Sequence, residues 1–313
     1  MAISFFLKHT ASLMACAVLL AGCGSGNSVN TGTGSLTLRI TDAAVDSARQ
    51  VYIQFHGLEI QHANGMLTTL YYCQDAADAS KTVVSSAACS TAAAPKKINL
   101  LALGGGQTDV LLNGYVLPAG HYNWIRLMVD TAGMHDSYIV VADGADYELT
   151  IPSGDESGLK LNRSIDIPVG GSADFTIDFD LRKSVHATGS GQYLLRPTLR
   201  LADNSLAGTV AGTVNPLQVP AGCTPAVYVF TGAGITPDDI DGITPDPVTT
   251  ASVQIDSVSG EYRYNAAFLE AGDYTIAHTC QAAVDDPAVD DALVFTSTAT
   301  VAVNANTITV HNF

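Results

Sequence analysis

The sequence predicts an all-β protein built as two antiparallel β-sandwich domains in tandem. Three observations predict it. Apolar residues alternate with polar ones along most of the chain, turn signals separate these short runs, and the charge balance changes abruptly near Asp203. The 313 residues, 47% of them hydrophobic, suffice for one or two buried cores. The net charge is −16, from 14 Lys and Arg against 30 Asp and Glu. That excludes a phosphate backbone as partner, because nucleic-acid binding needs a basic face.

Residues 1–22 read as a secretion signal. Lys8 gives a small positive start, and Thr10 to Leu20 form an apolar run too short to span a bilayer, which takes about 20 residues. The run ends in Leu20-Ala21-Gly22-Cys23, which resembles the lipobox of bacterial lipoproteins. The resemblance implies cleavage before Cys23, a diacylglycerol on its thiol and an acylated new amine. Acyl chains anchor at about 0.8 kcal/mol per buried CH₂. Gly24 in place of an Asp implies sorting to the outer membrane. Residues 23–33 are polar and small, a tether with a reach of roughly 18 Å.

Residues 34–203 are expected to form the first sandwich. Leu36, Leu38 and Ile40 alternate with Thr37, Arg39 and Thr41. Val51, Ile53 and Phe55 share a face, and Leu58 and Ile60 change parity across Gly57, the pattern of a β-bulge. Ile98 to Leu103 reads as a helical turn stopped by Gly104-Gly105-Gly106. Ile125, Leu127 and Val129 continue the alternation. Tyr138 to Ile151 reads as a hairpin about Asp143-Gly144. Phe175, Ile177, Phe179 and Leu181 point opposite to Asp174, Thr176, Asp178 and Asp180, and Leu195 to Leu201 closes the series with Pro197 at an edge or bulge.

Residues 204–313 are expected to form the second, acidic sandwich, with twelve acids and one base, Arg263. Seven strand-like runs follow: Leu206 to Val214, Ala226 to Phe230, Ser252 to Ile255, Tyr262 to Phe268, Tyr274 to Thr279, Leu293 to Val303 and Thr307 to Phe313. Seven short strands suggest an immunoglobulin or transthyretin type of sandwich. A short repeat links the two halves: Leu117-Pro118-Ala119-Gly120-His121-Tyr122 matches Leu269-Glu270-Ala271-Gly272-Asp273-Tyr274. In each, Gly turns the chain and a Tyr opens a strand, as in a tyrosine corner. Outside the signal the cysteines are Cys73, Cys89, Cys223 and Cys280, an even number in an exported chain. Three pairings are open, and the favoured one is Cys73–Cys89 with Cys223–Cys280, one bridge per domain.

Several motifs occur in a fixed order: Thr41-Asp42-Ala43 after the first strand, Leu-Pro-Ala-Gly-x-Tyr running into Ile125-Arg126-Leu127, Pro152-Ser153-Gly154 through Ser157-Gly158-Leu159-Lys160-Leu161, Asp178-Phe179-Asp180, and Leu195-Arg196-Pro197. Together they resemble domain of unknown function family 4382, found in bacterial lipoproteins, over about residues 34–203. Residues 204–313 resemble the carboxypeptidase regulatory-like, transthyretin-like sandwich. The chain departs from the first pattern at Ala44, where a Pro is expected, and at Tyr71 to Lys97, which looks like an insertion. The resemblance implies export and a β fold, and it carries no catalytic residue.

No GxSxG, HExxH, P-loop or strand-following GxGxxG pattern is present. Asp178 and Asp180 are the best carboxylate pair, sharing a strand face about 6.5–7 Å apart, the spacing of an inverting glycosidase. Ser153, Ser157 and Lys160 lie in a Ser-Gly-x-x-Ser-Gly loop whose amides and cation suit an anion. The acidic loops Pro237 to Pro247 and Ala283 to Asp291 are candidates for Ca²⁺; Asp238, Asp239 and Asp241 echo a Ca²⁺ loop, but Pro237 and Val248 occupy its first and twelfth ligand positions. The expectation is a lipid-anchored envelope protein acting as a non-catalytic binding, adhesion or assembly module. It needs no cofactor, and its partners are the membrane and an envelope protein or glycan. The alternatives are a carbohydrate-processing enzyme using Asp178 and Asp180, and a Ca²⁺-dependent module in residues 204–313.

Overall fold

The structure is a computed structural model that describes residues 32–43, 48–130, 133, 135–152 and 158–313. Cys23, the signal segment, most of the tether, Ser153 and Ser157 lie outside the described residues. Among the described residues, four sheets form in two pairs, and no helix is long and apolar enough to cross a membrane.

The first sheet runs Leu199–Asp203, Ser172–Asp180, Thr33–Ala43, Asp109–Pro118. Its centre is a parallel pair, with Leu38 opposite Phe175 and Ile40 opposite Ile177. The sequence pattern gives no sign of this, because alternation is blind to strand direction. A parallel pair needs a long crossover, and this crossover contains most of the facing sheet. That second sheet is built around Ala48–His62, which pairs with Gly120–Val129, Tyr138–Val141, Leu67–Gln74 and Lys96–Asn99. Leu36, Leu38 and Ile40 share one core with Val51, Ile53, Phe55, Leu58 and Ile60. The parity change falls on a register shift between Phe55 and Gly57. A Cβ at Gly57 would stand 2.1 Å from the Leu70 carbonyl oxygen, so the bulge requires glycine there.

The second pair comprises one sheet ordered Gln254–Ile255, Tyr262–Glu270, Ala207–Val214, Ile308–Val310 and another ordered Thr249–Ser252, Ala226–Thr231, Gly272–Thr279, Phe295–Val303. Val210, Val214, Tyr264 and Leu269 meet Val227, Val229, Ile276 and Val301 between them. The opposite face of Ala226–Thr231 is buried as well: Ala226, Tyr228 and Phe230 pack with Ile240 and Ala282 from two covering loops. A strand buried on both faces reads as a continuous apolar run, here Ala226-Val227-Tyr228-Val229-Phe230.

Three local expectations change. Ile98 is a strand residue opposite Ile53, drawn into the core, and only Leu100–Leu103 winds into a 3-10 turn. Pro197 splits the expected strand into Tyr193–Leu195 and Leu199–Asp203, which belong to different sheets, since Pro has no N–H for a ladder. The run Ser252 to Ile255 also divides. Thr249–Ser252 pairs with Ala226–Thr231, whereas Gln254–Ile255 pairs with Tyr262–Glu270. The chain passes from one sheet to the other at Val253. Cys73 is bonded to Cys89 and Cys223 to Cys280. Both repeats make the same turn: Tyr122 Oη donates to the Pro118 carbonyl at 2.7 Å and Tyr274 Oη to the Glu270 carbonyl at 2.8 Å.

Candidate functional site

The polar face of Ser172–Asp180 leads from solvent into a joint between the two sheet pairs. Near its start, Asp174 pairs with Arg39 at 3.2 Å while still 42% exposed. Two pleats on, the Asp178 side chain is only 7% exposed and its Oδ2 accepts from Arg200 Nη2 at 2.5 Å. Asp180 then ends the strand and caps the turn Leu181–Ser184, accepting from Lys183 N–H at 3.2 Å. That turn aims two cations across the joint. Arg182 Nη1 donates to the Ala282 carbonyl at 2.7 Å and Nε to Thr250 Oγ1 at 3.3 Å. Lys183 Nζ donates to the Pro247 carbonyl at 2.6 Å and pairs with Asp246. Arg200 also reaches the Phe268 carbonyl, and Asn265 Nδ2 donates to the Gly105 carbonyl at 2.9 Å.

A third carboxylate, Asp42, completes the joint. Its Oδ1 accepts from Leu181 N–H at 3.3 Å, while its Oδ2 and the Asp180 Oδ2 are buried without a hydrogen-bond partner. Burial, reinforced by the Asp178 and Asp180 charges, pushes the Asp42 carboxyl well above the ordinary range. Burial likewise pushes Asp180 up to about 6, against the opposing pull of Lys183.

Beside this network opens a cleft of about 640 Å³. Thr41, Asp42, Asp178 and the Gly104-Gly105-Gly106 loop line one side. Thr250, Gln254, Arg263, Asn265 and Phe268 line the other. Hydroxyls, amides and one guanidinium over a partly apolar floor suit a ligand rich in hydroxyl or amide groups.

The structure brings only some of the sequence candidates here. Asp178 borders the cleft with one oxygen held by Arg200, and Asp180 is buried in the turn. Neither stands on a solvated face, because the second sheet pair covers that end of the strand. Lys160 lies elsewhere, on Leu159–Leu161, with Nζ 4.4 Å from the centre of the Trp124 ring. Asp238, Asp239 and Asp241 sit in a loop covering the outer face of Ala226–Thr231. Sequence reasoning missed Asp42, Arg182 and Arg200. Asp42 carried one signal, its place in the Thr41-Asp42-Ala43 motif. The two arginines carried none, since their partners are carbonyls and carboxylates far away in the chain.

Residues 33–197 match the family described as Domain of unknown function (DUF4382), more than half of the 313 residues. The chain belongs to the DUF4382 family. The matched stretch spans the first sheet pair but stops just short of Leu199–Asp203, the edge strand that brings Arg200 to Asp178. Asp42, Asp178, Asp180, Arg182 and Lys183 thus belong to the DUF4382 stretch, while the groups they grip across the joint lie beyond it.

Among curated proteins none matches the chain. Three solved structures are similar to it in part. The TIE protein of Bacillus anthracis is 11% identical over 90% of this chain and 34% of its own, with a TM-score of 0.19. The minor pilin GBS52 of Streptococcus agalactiae is 10% identical over 89% of this chain and 94% of its own, TM-score 0.20. A putative cell adhesion protein of Bacteroides fragilis is 7% identical over 88% and 92%, TM-score 0.22. The chain spans about a third of the length of the first of these. At such scores the backbones do not superpose as one fold, and nothing about function follows from the likeness.

Proposed function

We propose that this DUF4382 protein is a lipid-anchored cell-envelope component acting as a non-catalytic binding module, with the cleft at the joint as its ligand site. The observation that carries the reading is the use made of the charged groups there. Arg182, Lys183 and Arg200 hold the two sheet pairs together; Asp178 pairs with Arg200, and Asp180 caps the turn that carries Arg182 and Lys183. The carboxylates a hydrolase would use are therefore structural, and the cleft offers fixed hydrogen-bonding groups for recognition. The placement at a membrane rests on Leu20-Ala21-Gly22-Cys23 and on the polar tether after it. Beyond residue 203, the reading includes a transthyretin-like module that supplies most of the cleft wall.

Two measurements on the protein from its native envelope test this. Mass spectrometry of the amino-terminal peptide should find an acylated Cys23, and a bare thiol overturns the anchor. Glycan and peptide arrays should show a ligand that is bound and recovered unchanged, with binding reduced at least tenfold by Gln254→Ala or Asn265→Ala. A ligand recovered cleaved, with cleavage lost in Asp178→Asn, overturns the non-catalytic reading.

A further inference from the structure

The two loops that cover the outer face of Ala226–Thr231 are acidic, and charge kept for solubility would be exposed. Asp239 is not: it is 1% exposed. Its Oδ2 accepts from Asp291 N–H at 2.5 Å, while its Oδ1 is buried with no hydrogen-bond partner. An ionised carboxylate taken out of water and left half satisfied costs several kcal/mol, so a compensating charge is expected beside it. What stands beside it is more negative charge. Carboxylate oxygens of Asp239, Asp285 and Asp291 lie within 4.8 Å of one another, and Asp239 forms a second such triad with Asp241 and Asp290.

The cluster is held in place by its surroundings. Tyr228 Oη donates to Asp285 Oδ2 from the buried strand, Ile240 N–H donates to Asp285 Oδ1 at 3.2 Å, and Asp286 N–H donates to Asp291 Oδ2 at 2.8 Å. Among the described residues, Arg182 is a cation packed against this region: it lies over the Tyr228 ring at 5.8 Å and donates to the Ala282 carbonyl. It leaves the triad with net negative charge.

We propose that Asp239, Asp285 and Asp291 form a Ca²⁺ site, with Asp241 and Asp290 at its mouth. The donors are all carboxylate oxygens, which select a hard cation over zinc or copper. A separation of up to 4.8 Å is the span across an ion coordinated at about 2.4 Å, the Ca²⁺ distance. The ligands come from two loops about fifty residues apart, so no single-loop register exists for a sequence motif to show. The site pins both covering loops over Tyr228 and Phe230, and Ca²⁺ is accordingly a structural ligand of the folded state.

The test uses the full chain, stripped with a chelator and followed by calorimetric melting and by titration with Ca²⁺, with Mg²⁺ as control. Millimolar Ca²⁺ should raise Tm saturably, since a ligand of the native state alone stabilises it. Asp291→Asn, on a half-buried residue that can be replaced without unfolding, should weaken Ca²⁺ binding at least tenfold. Asp239→Asn should abolish it. A Tm indifferent to Ca²⁺, an equal rise with Mg²⁺, or a Ca²⁺ response kept in Asp291→Asn overturns the site.

Discussion

The two sheet pairs solve the same problem, a buried carboxylate with an unpartnered oxygen, in opposite surroundings. In the first pair Asp180 sits among Arg182, Lys183 and the nearby Arg200–Asp178 pair, and its carboxyl is raised to about 6. In the second, Asp239 sits among Asp285, Asp291, Asp241 and Asp290. A proton is enough to relieve the first. The second is crowded with like charge and calls for a divalent ion. The same contrast runs through the packing. The first pair closes one core between two sheets, whereas the second also buries the far face of a sheet beneath loops. Where loops rather than strands make the cover, they bring polar chemistry with them.

The sharpest way to break the contrast is to remove what joins the regions. Arg182 is 3% exposed and bonds to Thr250 and Ala282 on the other pair. Arg182→Met removes both bonds across the joint and leaves the Thr250 hydroxyl and Ala282 carbonyl without the guanidinium, at about 1.5–3 kcal/mol for each of the two charge-assisted hydrogen bonds. Chemical denaturation should then split from one transition into two, one for each sheet pair; a single transition would mean that the joint carries little of the coupling.

The disulfides compare the regions directly. Cys223–Cys280 closes 57 residues and Cys73–Cys89 closes 16. By loop entropy, replacing the first pair with Ser should cost about 4 kcal/mol and the second about 3 kcal/mol. Urea melts of the two double variants check the order.

The pH dependence isolates Asp180. Its folded carboxyl titrates above the ordinary range, so between about pH 4 and pH 6 the native state binds more protons than the unfolded chain. The stability this confers is full at low pH and is lost as pH rises through about 6. The loss amounts to about 2–3 kcal/mol for a shift of this size. Asp180→Asn keeps an oxygen for the Lys183 N–H and carries no titration. The Tm of the variant minus that of the wild type should therefore grow more positive from pH 4.5 to pH 7.5, measured by calorimetry. A flat difference would place the proton elsewhere, on Asp42.

Much of the fold was legible because period-2 alternation survives wherever one face of a strand is buried. Leu36, Leu38 and Ile40, the bulge at Gly57 and most of the acidic-region strands follow from it, whereas the run Ser252 to Ile255 hid a passage between two sheets. The parallel pairing of Thr33–Ala43 with Ser172–Asp180 was not legible, because alternation does not record strand direction. The joint was half legible. Asp178 and Asp180 announced themselves as a pair on one face, but their burial depends on a second sheet pair that no local pattern positions. Asp239, Asp285 and Asp291 were visible as acids of two separate loops that could each take Ca²⁺, but not as one cluster, because a folded chain brings them together only after the strands between have paired.

The smallest effect tests whether the regions differ at all where they look alike. Tyr122 and Tyr274 end the same repeat, and their hydroxyls donate to Pro118 and Glu270 four residues back at 2.7 and 2.8 Å. In both, burial raises the phenol above its ordinary value, with charge neighbours acting only at Tyr274. Removing one such neutral hydrogen bond costs about 1 kcal/mol when its carbonyl keeps access to water. Tyr122→Phe and Tyr274→Phe should thus destabilise by equal amounts of about 1 kcal/mol, read from paired denaturation curves. Tyr122 packs edge-on against His62, with ring centres 4.9 Å apart, a contact that Phe preserves. A larger loss at Tyr274 would therefore point to its hydroxyl holding Glu270 against Arg163 at the edge of the joint, and the two corners would then be alike in geometry but not in load.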